Sequence, residues 1–105
     1  MQRVIERIRK FRDERGWLQF HDPKSLAASV SIEAAELLEL FQWKNADEAL
    51  RYAKENQERV SEEIADVAIY LIELADVAGI DLLEAIEHKL IKNAAKYPVG
   101  KSDLR

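Results

Sequence analysis

Apolar positions recur with helical spacing along nearly the whole chain. Val4, Ile5, Ile8 and Phe11 predict a helix over residues 2–15, after which GWLQFHDPK reads as a loop rich in aromatic and polar side chains. Ser25 is read as the N-cap of a second helix reaching Phe41. Asn45 or Ala46 opens a short helix over NADEALRYAKEN, and a longer one is expected from Gln57 to Ala78. After Gly79, Asp81 can cap a last helix that runs to Lys96. Glycine and proline fall only at these boundaries, and no alternating run has strand-like composition. The expected class is therefore all-α, with four main helices and one short one forming a bundle. Residues 1–98 form one domain in this reading, and residues 99–105 a loose tail.

The second helix gathers Leu26, Val30, Leu37 and Leu40 into one stripe, with Glu33 inside it and Glu36 roughly 60° to one side. The long helix repeats the device. Its stripe is Val60, Ile64, Val67, Leu71 and Leu74, Glu63 lies in the margin between Val67 and Tyr70, and Asp66 is displaced by roughly 60° in the same sense. Ile69 and Ile72 stand off that stripe. Apolar side chains on more than one side of a helix call for burial against a second copy, so the bundle is expected to be completed by homo-oligomerisation.

Charge sharpens the two acidic pairs. The net charge of −4 hides an acidic middle: residues 31–87 hold 15 acids and 4 bases, between ends in which bases dominate. Residues 25–43 and 60–80 contain no base at all. Carboxylates grouped on a core-facing side cost several kcal/mol unless something offsets them. A divalent cation does so best, and Mg²⁺ or Mn²⁺ prefers such hard oxygen ligands. Glu33, Glu36, Glu63 and Asp66 are thus candidate metal ligands, whereas Glu39, Glu62, Glu73 and Asp76 read as ordinary solvated surface. A di-iron site fits less well, because the Glu-x-x-His pairs it uses are missing: Ala85 stands three residues before His88.

Two other groups have two readings each. Trp17, Phe20, His21 and Trp43 either cap the bundle core or stack on a planar ring whose polar edge His21 reads, with Tyr70 on the metal side. Lys89, Asn93 and Lys96 recur along one face of the last helix, as a solvated face or as counter-charges for phosphate. Without cysteine, disulfides and thiolate metal sites are excluded. The acidic balance argues against binding a nucleic acid polymer. The charged start and the want of a long apolar run predict an intracellular, cytoplasmic protein with no membrane attachment.

The strings GWLQFHDPKSLA, IEAAELLELFQW, EEIADVAIYLIELADVAGIDL and KLIKNAAKYP, in that order and spacing, closely resemble the MazG-like all-α nucleotide pyrophosphohydrolases, and more narrowly their compact dCTP pyrophosphatase branch. The likeness runs from about Arg9 to Pro98. It implies that Glu33, Glu36, Glu63 and Asp66 bind Mg²⁺, that Trp17, His21, Trp43 and Tyr70 line the base and sugar pocket, and that Lys89, Asn93, Lys96 and Tyr97 help hold a triphosphate. It further implies a homodimer or a dimer of dimers with sites between subunits. The implied reaction is hydrolysis of a nucleoside triphosphate, dCTP or a 5-modified dCTP, to the monophosphate and pyrophosphate. Mg²⁺ would activate the attacking water, and one carboxylate, Glu36 by preference, would take its proton. The chain departs from animal relatives in the short connection after Trp43, which bears on substrate range. The competing expectations are a non-catalytic nucleotide sensor using the same pocket and a structural helical assembly module.

Overall fold

The computed structural model describes residues 1–100 and is helical throughout its regular elements: α1 (Gln2–Glu14), α2 (Pro23–Glu39), α3 (Ala46–Glu55), α4 (Gln57–Val77) and α5 (Leu82–Lys96), with one 3₁₀ turn, Leu18–Phe20, inside the aromatic loop. The all-α expectation of four main helices and one short one holds. Of the expected loose tail, residues 101–105 lie outside the described residues.

Local chemistry sets the boundaries. α2 starts earlier than the Ser25 reading: Asp22 is the N-cap and Pro23 opens the helix, while Ser25 donates both its backbone N–H and its hydroxyl to Asp22, at 2.9 and 2.7 Å. Asn45 and Glu48 form a reciprocal capping box on α3. α4 ends at Gly79, whose φ of 71° permits the left-handed turn in which Ile80 N–H reaches back to the Ala75 carbonyl. Asp81 then caps α5 as expected.

α2 and α4 form the principal packed pair, and α1 and α3 lie against α4. α5 makes only marginal contact with the rest. The fully packed apolar core is small: Leu26, Leu40, Val60, Ile72 and Ala75. Ile72, expected off the stripe of α4, is inside it, whereas Ile64 and Leu71, expected within, are exposed. α4 is apolar on several sides, so its periodicity alone does not say which side faces the chain's own helices.

The molecule is open. Its radius of gyration is 16.7 Å, against about 13 Å for a compact chain of this length. Its accessible surface is 8387 Å², where a compact monomer of this mass exposes about 6,000 Å². Ile32, Leu38, Ile64, Leu71, Leu90 and Ile91 all contribute to the excess. Among the described residues, no helix is long and apolar enough to cross a membrane.

Glu73 and Asp76, read from sequence as solvated, are not. Glu73 is only 6% exposed. Asp76 accepts from Arg9 Nε at 3.0 Å, and Arg12 Nη1 stands 3.6 Å away, so a guanidinium pair from α1 clamps that helix to α4. The same contacts hold the Asp76 carboxyl below its usual range. These acids follow the spacing of the stripe, but their partners lie some 60 residues away in sequence, where no periodicity reveals them.

Candidate active site

The packing of α2 on α4 brings together the acids that each helix presents at a spacing of three. One carboxylate oxygen from each of Glu33, Glu36 and Glu63 lies within 4.8 Å of the others. Asp66 falls outside that trio, yet it lines a cavity with Glu33, and its charge reaches Glu33. Glu33 Oε2 and Glu63 Oε2 are buried with no hydrogen-bond partner. Among the described residues, Arg59 is the cation paired with this group, its Nε standing 3.8 Å from the other Glu63 oxygen. It is the base just before the base-free segment, so Glu63 is less isolated than its own helix face implied.

Two orphaned carboxylate oxygens on facing helices, with a third carboxylate beside them, are a donor set of hard oxygens suited to a divalent cation. Their mutual repulsion bears on Glu33. A hydrogen bond with Glu36, burial, and the charges of Glu36, Asp66 and Glu63 push its carboxyl up to about 7. A carboxyl raised on folding favours the folded state while protonated, and that contribution is lost as pH climbs through the folded value. In chelator, thermal stability is therefore expected to fall between about pH 5 and pH 8. A melting temperature that rises across that interval would contradict the clustering of these acids.

The cavity beside the trio has a volume of about 490 Å³. Trp17 and His21 from the loop, and Tyr70 and Glu73 from α4, form one side of it with Glu33 and Asp66. The Tyr70 hydroxyl is held above its usual range by burial and by Glu33, Glu73 and Asp66, which places it inside the same electrostatic environment. The structure thus brings Trp17, His21, Tyr70, Glu33 and Asp66 around one space. Trp43 is 88% exposed and does not line it. Lys89, Asn93, Lys96 and Tyr97, on or just after α5, do not line it either.

Sequence reasoning missed the contribution of α1. Val4, Ile8 and Phe11, with Arg7, also line the cavity. Their apolar spacing is that of any core-facing helix, so only the tertiary contact distinguishes them. Trp17 is fixed by its edge-on contact with Phe11, at a centroid distance of 5.6 Å, and Arg15 sits over the Phe11 ring at 3.5 Å.

Comparison with known proteins identifies relatives of the chain. A sequence model described as the MazG-like family matches residues 28–104. The chain is 42% identical to dCTP pyrophosphatase 1 of Rattus norvegicus over 94% of its own length and 40% identical to that of Homo sapiens over 90%. It spans only 62% and 59% of those two proteins. A crystal structure of a pyrophosphatase from Archaeoglobus fulgidus superposes with a TM-score of 0.89 at 52% identity, covering 93% of this chain and 92% of that one.

Proposed function

The chain belongs to the MazG-like family, and from that premise we propose that it is a divalent-metal-dependent nucleoside triphosphate pyrophosphohydrolase acting on a deoxynucleotide, dCTP or a 5-modified dCTP. The observation that carries this reading is the pair of buried, unpartnered oxygens of Glu33 and Glu63 beside Glu36, at the edge of a cavity walled by Trp17, His21 and Tyr70. The name of the rat relative, a dCTP pyrophosphatase, supports a cytosine deoxynucleotide as the substrate.

Glu33, Glu36, Glu63 and Asp66 are the residues that would hold Mg²⁺, or Mn²⁺. When bound, the cation supplies charge neutralisation for the phosphate oxygens and a more acidic water. The chain does the rest by placement. Trp17 stacks on the base, His21 meets its polar edge, and Val4, Ile8 and Phe11 offer apolar contact in the same cavity. Glu36, the exposed member of the trio, accepts a proton from the water that attacks the α-phosphorus in line. The bond between the α-phosphorus and the bridging oxygen breaks, and pyrophosphate leaves.

Lys89, Asn93, Lys96 and Tyr97 belong in this reading as triphosphate ligands, and Trp43 as a base-pocket residue, supplied across a subunit boundary. The open shape and the excess exposed surface support a homodimer or a dimer of dimers, since a standard interface buries about 800 Å² per partner. Light scattering at micromolar concentration is expected to give a mass at least twice that of the chain. A monomer would remove the basis for sites shared between subunits.

A turnover survey over the dNTPs, the NTPs and 5-modified dCTP tests the substrate assignment, with highest kcat/KM expected for a cytosine deoxynucleotide. Saturable binding of dCTP without turnover would instead identify a sensor.

A further inference from the structure

Glu73 is an uncommon residue to find where it lies. It is buried on α4, in a position where an apolar side chain would pack without cost, and burial pushes its carboxyl up against the opposing influence of His21 and Arg12. Its Oε2 stands 2.8 Å from His21 Nδ1. The contact does not meet hydrogen-bond geometry, and among the described residues neither atom has a hydrogen-bond partner. Arg12, the nearest buried cation, is engaged by Asp13 at 2.8 Å and by Asp76 at 3.6 Å. Glu73 and His21 both line the cavity that holds Trp17.

The contact decides where the imidazole proton sits. Between an ionised Glu73 and a neutral imidazole, the carboxylate oxygen only accepts, and a bare Nδ1 lone pair facing it at 2.8 Å would be repulsive. The proton therefore belongs on Nδ1, which leaves Nε2 as a lone-pair acceptor. Resting on the nucleotide reading above, we propose that Glu73 is a positioning residue for base selection: it commits the His21 proton to Nδ1, so that the polar edge of the cavity accepts hydrogen bonds and selects bases with an exocyclic amino group over those with a keto group. Cytosine presents an amino donor at the position where uracil presents a keto acceptor. Opposite an acceptor edge the keto group finds no donor, and an unpaired polar group in a buried site is what makes such discrimination large.

The test compares dCTP with dUTP, which differ at that edge of the base, in wild type and in Glu73→Gln. An amide at position 73 can accept or donate, so it permits the other tautomer of His21. Wild type is expected to favour dCTP by tenfold or more in kcat/KM, and Glu73→Gln to lose most of that ratio, chiefly through a higher KM for dCTP. A variant that keeps the wild-type ratio overturns the proposal while leaving the pyrophosphohydrolase reading standing. A wild type that turns over no dNTP overturns that reading itself. Should the variant not fold, the wild type alone decides by nitrogen-15 NMR of its two histidine rings, His21 and His88. His21 protonated on Nδ1 with Nε2 bare is the expected signature. Protonation on Nε2 would contradict the proposal.

Discussion

Glu63→Gln is expected to lower the rate of pyrophosphate release by about 10²–10³-fold or more, the scale on which a lost transition-state charge contact is felt, while the metal-free protein melts no lower than wild type. Both halves follow from one feature. Glu63 Oε2 is buried and unpartnered, so an isosteric amide gives up the charge that would hold a cation but also removes repulsion from Glu33 and Glu36. Glu33→Gln should behave likewise, with a clearer gain in stability in chelator above pH 7, where the Glu33 carboxyl would otherwise ionise. Enzyme assay and thermal melts on the same preparations provide the check. A large loss of metal-free stability in either variant would mean that these carboxylates support the fold and would oppose the site described here.

The second large effect is that of the cation on the folded state. An ion that binds the folded chain and not the unfolded one stabilises it by about 2.7 kcal/mol at a concentration one hundred times its dissociation constant. For a domain of this size that corresponds to a rise in melting temperature of about 10 °C or more. Mg²⁺ is expected to give such a rise in wild type, and to give little or none in Glu33→Gln or Glu63→Gln. An equal rise in wild type and in both variants would place the ion elsewhere. Repeating the titration with Ca²⁺, which accepts looser coordination, reports how closely the trio fits the smaller ion.

Much of this was legible from the chain alone, for identifiable reasons. The caps at Asn45 and Asp81 and the stop at Gly79 are local chemistry, and each was read from a few adjacent residues. The N-cap of α2 lies three residues before the one its sequence suggests, because Ser25 looks like a cap, whereas it donates to the true cap, Asp22. Glu33, Glu36 and Glu63 were legible because an acid on an apolar stripe is anomalous at the level of a single helix. Glu73 was not: it was passed over with Glu39 and Glu62, and its partner His21 lies in a loop far away in sequence. The contribution of α1 escaped notice because Val4, Ile8 and Phe11 are what any packed helix carries. Ile64, Leu71 and Ile72 were assigned to the wrong sides because α4 is apolar nearly all round. The homo-oligomer proposed above would account for this, since a helix packed against its own chain and against a copy carries two inner faces.

In the function proposed above, the acidic trio and the adjoining cavity hydrolyse a nucleoside triphosphate between its α- and β-phosphates. Incubation of the purified protein with Mg²⁺ and dCTP, followed by separation of the products, tests it most directly. The arrangement of Glu33, Glu36 and Glu63 beside the base cavity predicts dCMP and pyrophosphate in equal amounts, with no reaction in chelator. Orthophosphate with dCDP as products, or intact dCTP after prolonged incubation with Mg²⁺ or Mn²⁺, would contradict it.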